Sequence, residues 1–402
     1  MSFNEWREVT LSDISIGNKG NYGIGASAVE YSKNLYTYLR ITDISDEGIL
    51  KKDSLMSVDD EDAKNYLLKP NDSVFARTGN STGRSYFYDG SDGELVFAGF
   101  LIKFSLDPSK VNPRFIRYYT LSNEYKEWVS SFSTGSTRGN INAKTYGSMK
   151  IKLPPTDQQD FLVQILSSLD NKIEVNKQIN KTLENVAQAI FKQWFVDFEF
   201  PNEDDEPYKS SGGEMVESEL GLIPNGWEVG KLENLVTVKY GKDHKKLDYG
   251  DIPVYGSGGI MRYVNTSLYS SESVLIPRKG TLNNVIYIND PFWSVDTMFF
   301  TQMNYPDITK YIYFFIKDKD LLSMNSGSAV PSMTTDILNR LPIIVSPLTM
   351  IQRFNKLVEP IFSLMDLNSK QIKKLSNTRD TLLPKLMSGE IRVPLDSEGD
   401  AS

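Results

Sequence analysis

The sequence predicts an α+β protein made twice over: two duplicated α+β units, each followed by a long helix, with the two helices packed on each other. Three observations carry this expectation. Matched anchors recur in the same order in both halves, an acidic break divides them, and each half ends in an extended apolar periodicity of threes and fours.

The anchors come first. NEWREVTLSDI at 4–14 resembles NGWEVGKLENLV at 225–236, with Trp6 opposite Trp227. Arg77 and Gly79 then face Arg278 and Gly280, Gly135–Ser136 face Gly327–Ser328, and Leu153–Pro154 face Leu341–Pro342. The offsets shrink from 221 through 201 and 192 to 188, as expected of a second copy with shorter loops, since loops tolerate length changes. A repeat of this period seen only twice marks domain duplication, because a solenoid needs several short units. Between the copies, PNEDDEPYKSSGGEMVESE at 201–219 is acidic, rich in Pro, Gly and Ser, and reads as a solvated linker.

The helical patterns close each half. Leu166, Leu169, Ile173, Asn176, Asn180, Leu183, Ala187, Ile190 and Trp194 recur at steps of three and four, which predicts one helix over 161–195, roughly 52 Å long at 1.5 Å per residue. Phe354, Leu357, Ile361, Leu364, Asn368, Ile372, Leu375, Leu382 and Leu386 repeat the pattern less regularly. Pro360 there predicts a start or kink, and Pro384 a kink near the end. Asn176 and Asn368 fall in the two seams, and an Asn at a core position selects register and pairing partner. The alternative is a pair of ordinary amphipathic helices covering separate sheets. The chain thus divides into 1–152, a first helical region 153–200, the linker 201–219, a second unit 220–340, a second helical region 341–393 and an acidic tail 394–402.

Elsewhere, alternation and aromatics between Gly, Asn and Asp punctuation predict strands at 86–90, 94–106, 273–280 and 284–290, with a short helical piece at 113–129.

Composition bounds the chemistry. The chain has 402 residues, 40% apolar and 24% charged, ordinary globular usage for two or three domains. It contains no cysteine and a single histidine, His244, so thiolate chemistry, disulfides and a multi-histidine metal site are excluded. The longest apolar runs, such as YIYFFI at 311–316, fall far short of the ~20 residues that span a bilayer. MSFNEWREV lacks the basic and apolar pattern of a secretory signal, so the expected location is the cytoplasm, without membrane association.

The net charge of −8 argues at first against a nucleic-acid partner. Yet 201–219 carries −6 and 396–402 carries −3, which leaves +1 over the rest and allows a basic face there.

Catalytic motifs are absent. No GxxxxGK[ST] occurs, NDPFW at 289–293 lacks the second proline of an amino-methyltransferase loop, and VYGSGGI at 254–260 has no long helical pattern after it and reads as a turn. Asp59 and Asp60 lie in the acidic run VDDEDAK and read as solvated surface.

What recurs is a set of polar loops: RTGNSTGR at 77–84 and STGSTRGNIN at 133–142 in the first half, PRKGTLNN at 277–284 and NSGSAVPSM at 325–333 in the second. Arg suits the guanine acceptor edge, Asn the adenine edge, while Ser, Thr and backbone N–H groups hold phosphate. The candidate DNA contacts are Arg77, Thr78, Asn80, Arg84, Ser136, Thr137, Arg138, Asn140, Asn142, Arg278, Lys279, Asn283, Asn284 and Ser328. The same residue types also make plain turns.

LPPTDQQDFLVQILSSLDNKI at 153–173, IFKQWFVDFEFP at 190–201, ELGLIPNGWEV at 219–229, STGSTRGNIN and LLPKLMSGEIRV at 382–393 together resemble the specificity subunit of type I restriction-modification systems over essentially the full length. VSPLTMIQRF at 345–354 departs from the family's usual acidic-Gln helix start. The resemblance implies two target-recognition domains separated by antiparallel spacer helices, each domain reading half of an interrupted site in double-stranded DNA. It implies no catalysis and no cofactor on this chain. Two methyltransferase subunits carrying S-adenosylmethionine, with translocase/nuclease subunits, would supply the chemistry. Two similar halves related by a pseudo-two-fold would present two similar docking surfaces. Leu169, Ile173, Asn176, Leu183, Ile190, Trp194, Phe195, Leu364, Asn368, Leu375 and Leu382 are the candidates for spacer packing or partner contact, and the aromatics Trp194, Phe195, Phe198 and Phe200 could equally pack on their own domain. Two rivals remain open: a stand-alone metal-dependent nuclease using residues such as Asp243 and Lys245, and a scaffold with no DNA role.

Overall fold

The computed structural model describes residues 6–132, 139–324 and 332–391. It divides into two compact units, one of Met1–Val175 with Gln371–Ser402 and one of Asn176–Lys370.

In the first unit a four-stranded antiparallel sheet runs in the order Asn21–Tyr22, Leu101–Ser105, Asp72–Ala76, Ser85–Tyr88. Every residue of Asp72–Ala76 is buried, because its two faces serve two cores. Phe75 joins Ile102 and Phe104 on one side, while Val74 and Ala76 join Leu101 on the other, the period-two alternation of a strand. A second sheet orders Ala28–Val29, Met56–Val58, Tyr36–Leu39 and Leu95–Phe97, the last pair being parallel.

The second unit repeats this plan. Its four-stranded sheet runs Val236–Tyr240, Met298–Met303, Ser273–Pro277, Ile286–Ile288. Val274, Ile276 and Phe299 face one core, Leu275, Met298 and Phe300 the other. Its smaller sheet, Gly259–Val264, Ile252–Gly256 and Trp293–Ser294, again ends in a parallel pair.

Hydrogen bonds repeat as well. Leu11 donates to the Met149 carbonyl and Leu232 to the Leu341 carbonyl, each at 3.0 Å. The Thr10 N–H donates to the Asp13 carboxylate at 2.8 Å and the Lys231 N–H to the Asn234 side chain at 2.7 Å. Strand register corrects one anchor: Thr10 pairs with Lys150 and Lys231 with Pro342, so Leu153 corresponds to Val345 and not to Leu341. The true counterparts are Pro155 and Pro347, whose carbonyls accept from Gln159 and Ile351. A Leu-Pro pair alone is a weak marker, and backbone pairing decides.

Each long helix has 40 residues, Thr156–Phe195 and Leu348–Met387, about 60 Å each. The first starts five residues before the expected 161. The second starts well before Phe354, so Pro360, where a start or kink was expected, is not its start, and it runs on past Pro384 to Met387. Burial of Val358 and Phe362 around Pro360 holds that turn, tertiary packing outweighing one missing N–H.

Within the second unit the helices run antiparallel: Asn180 meets Asn368 at 2.9 Å and the Phe191 and Phe354 ring centroids lie 5.9 Å apart. Within the first, Arg379 donates to Asp170 at 2.9 Å. Ile173, Asn176 and Asn368 are buried, and Leu169, Leu183, Ile190, Leu375 and Leu382 partly buried. Leu364 and its pattern-mate Leu357 are not in the seam but 43% and 49% exposed. After Phe354 the buried face advances to Val358 and Phe362 in steps of four, which a strict three-four reading misses. Trp194 and Phe195, candidates for partner contact, are instead buried in their own unit's core beside Phe354, Tyr311 and Trp227.

Two other expectations change. The helical piece at 113–129 is two helices, Pro113–Tyr119 and Asn123–Ser130, because Ser122 caps the second by accepting from the Tyr125 N–H. The acidic stretch 201–219 is folded: Phe200 stacks on Tyr208 and Trp227, with centroids at 4.6 and 5.0 Å, and Met215–Ser218 pairs with Gly221–Pro224. Its few apolar residues, Tyr208, Met215 and Val216, all pack against the core.

Candidate nucleic-acid interface

One of the two inner strands of each four-stranded sheet delivers an arginine at its end: Arg77 after Ala76 and Arg278 after Pro277. Backbone bonds seat both alike. The Arg77 N–H donates to the Phe100 carbonyl at 3.0 Å and its carbonyl accepts from the Ile141 N–H at 2.9 Å. Arg278 donates to the Thr297 carbonyl and accepts from Met333, both at 2.8 Å. Thr78 then bridges to Asn140 and Lys279 to Ser332. In each half the fold therefore joins the two polar loops that the sequence singles out. Gly79 and Gly280 complete the match with φ of 75° and 84°, a left-handed conformation that glycine adopts freely.

Beneath each arginine lies a tyrosine that sequence reasoning missed. The Arg77 guanidinium is 5.0 Å from the Tyr22 ring centroid and that of Arg278 is 5.3 Å from Tyr240. The Tyr22 hydroxyl accepts from the Ala143 N–H at 3.1 Å, and the Tyr240 hydroxyl lies 3.5 Å from the Thr335 hydroxyl. Ala143 and Thr335 are the first residues of corresponding helices, Ala143–Gly147 and Thr335–Asn339. A signal for these tyrosines was present, since both precede glycine and stand 218 residues apart, inside the shrinking series of offsets. The glycines are required sterically: a Cβ on Gly23 would meet the Phe97 and Ala98 carbonyl oxygens at 2.3 Å, and one on Gly241 the Val295 oxygen at 2.0 Å.

The remaining candidates divide. Asn80, Asn140, Lys279 and Asn283 are exposed. Three others are engaged within the protein. Arg84 donates to Asp46 at 2.6 Å and to the Ile44 carbonyl and Ser81 hydroxyl at 3.3 Å. Asn142 caps its helix by accepting from Thr145, and Asn284 donates to the Ser257 carbonyl at 2.9 Å. Polar turn residues stabilise their own loops before they can serve a ligand. Ser136, Thr137, Arg138 and Ser328 lie outside the described residues.

Asp243 accepts from the Lys245 N–H at 3.1 Å, and that bond holds its carboxyl below the usual range. Among the described residues no group of three or more His, Cys, Asp or Glu could hold a metal ion, and no helix is long and apolar enough to cross a membrane.

Comparison with known proteins bears on this frame. The type I restriction modification DNA specificity domain matches residues 4–185 and again 224–377. The type I restriction enzyme MjaIX specificity subunit of Methanocaldococcus jannaschii is 27% identical over 310 residues, 69% of each chain. The HindI specificity subunit of Haemophilus influenzae is 24% identical over an alignment spanning 96% of this chain and all of the relative. The crystal structure of a type I S subunit from M. genitalium shares the fold with a TM-score of 0.57, at 17% identity over 96% of this chain and 97% of that one.

Proposed function

Since the chain belongs to the type I restriction-modification DNA specificity family, we propose that it is the non-catalytic address subunit of such a complex, each half reading one part of a bipartite site in double-stranded DNA. Two copies of a methyltransferase carrying S-adenosylmethionine dock on it, translocase/nuclease subunits join for cleavage, and the complex works in the cytoplasm. The observation that carries the reading is the repetition of one backbone frame around Arg77 and Arg278 beneath side chains that have diverged, as two readers of unlike half-sites require. Asn80 and Asn140 in one half, Lys279 and Asn283 in the other, are the exposed polar groups offered to bases and phosphates. The long helices, each about 60 Å, exceed the ~34 Å helical repeat of DNA and suit a ruler between two readers.

Mapping methylated adenines across a genome with and without the gene tests the reading. A single interrupted motif should vanish on deletion, and Asn140→Ala with Asn80→Ala should relax one half of it only. An unchanged methylation map, or cutting of DNA by the purified chain with magnesium alone, would overturn it.

A further inference from the structure

Most arginines of the first unit are neutralised within the protein. Arg40 faces Asp43, Arg84 faces Asp46, Arg114 faces Asp89, and Arg117 and Arg379 face Asp170. Arg77 is different. Among the described residues no carboxylate pairs with it, its Nε is buried without a partner, and its guanidinium rests on the Tyr22 ring. Arg278 repeats this on Tyr240, spending one N–H on the Asp296 carbonyl at 3.1 Å and meeting no carboxylate among the described residues. Both tyrosines are about half exposed, 43% and 49%, and both hydroxyls sit against the first residue of a short helix. A planar cation held over an anchored ring, with no carboxylate paired to it among the described residues, is preorganised for an anion.

The duplication indicates which anion. The residues beside each pair have diverged: Gly99 and Phe100 occupy the turn that Asp296 and Thr297 occupy in the second half, Thr78 stands where Lys279 does, and Asn140 where Ser332 does. The arginine, the tyrosine under it and the arginine's backbone bonds have not. A contact shared by readers of unlike sequences carries no sequence information, and what any two stretches of duplex share is the sugar-phosphate backbone. We infer that Arg77 on Tyr22 and Arg278 on Tyr240 are paired phosphate clamps that seat each half on DNA, leaving base discrimination to the diverged neighbours, Phe100 among them at 59% exposure. The inference rests on the DNA-reading function proposed above and adds a division of labour to it.

The test uses the complete complex with its methyltransferase subunits, a randomised duplex library and salt-titrated binding to the selected duplex. Arg77→Ala and Arg278→Ala should each weaken binding about tenfold, equally for the selected duplex and its single-base variants. Each should make the dependence of log K on log salt shallower by about one, with the selected consensus unchanged. Arg77→Lys retains the charge and, even where the alanine variant fails to assemble, should keep both the salt slope and the consensus. A consensus that relaxes at one base pair in either variant overturns the clamp in favour of base reading. Wild-type affinity in an assembled alanine variant removes the contact altogether. If the wild-type complex selects no sequence at all, it is the DNA-reading function that fails, a result distinct from either.

Discussion

Asn368 donates its side-chain N–H to the side-chain oxygen of Asn180 at 2.9 Å, and Asn180 in turn donates to the Met365 carbonyl at 3.0 Å and the Ser369 hydroxyl at 3.1 Å. This closed polar set lies between the two long helices close to apolar contacts such as Phe191 with Phe354, and it defines their alignment there. Asn368→Leu leaves the Asn180 oxygen without its donor and should cost about 1–3 kcal/mol in chemical denaturation. The double change to leucine at both positions should recover most of that loss while loosening register. As the chain has no cysteine, cysteine pairs introduced along the helices report register directly. A single variant as stable as wild type would show the two residues to be uncoupled.

Lys310 is 2% exposed and holds Glu272 at 2.9 Å and Glu359 at 2.7 Å, above the rings of Tyr287 and Phe362. Lys310→Met should destabilise the protein by about 3 kcal/mol, the low end for a broken buried pair because both carboxylates keep some solvent. Burial alone would raise the Glu272 carboxyl, but hydrogen bonds from Tyr287 and Lys310 and the lysine charge hold it below its ordinary value of 4.5. Its contribution is therefore complete above about pH 4.5 and is lost as pH falls through the depressed folded value. Stability measured from pH 6 to 3 should drop less steeply in Glu272→Gln than in wild type. Parallel curves would remove Glu272 from the acid response.

Trp194 and Phe195 are 5% and 6% exposed, whereas Leu367 on the other long helix is 62% exposed. Phe195→Ala should cost about 3–5 kcal/mol, since a ring packed among Trp227, Tyr311 and Phe354 leaves a cavity. Leu367→Ala should stay within about 0.5 kcal/mol. Thermal unfolding of the two variants decides; equal melting temperatures would place Phe195 outside the core.

Much of this architecture is legible in one dimension. The ordered anchors from Trp6 to Gly79 revealed the duplication, although the Leu-Pro anchor at 153–154 was matched to the wrong residues, and the three-four periodicity from Leu166 to Trp194 located a helix to within five residues at one end. The loops at 77–84 and 277–284 were singled out because Arg, Gly and Asn recur in them. Reading failed where a local pattern had two outcomes. Leu364 fits the same apolar spacing whether or not it faces a partner, and Arg84 looks as free as Arg77 until Asp46 comes within 2.6 Å of it.

By itself, the sequence determined that there are two units, that each ends in a long helix, and that polar loops recur at matched places, because composition, periodicity and repetition are properties of neighbours along the chain. Only the tertiary structure decided which groups meet. Tyr22 and Arg77 are 55 residues apart and Tyr240 and Arg278 are 38 apart; antiparallel sheet register alone brings each ring beneath its guanidinium. Burial then separates the polar side chains held by their own loops from those left facing outward. That choice depends on the distances between packed strands, and residue spacing does not encode it.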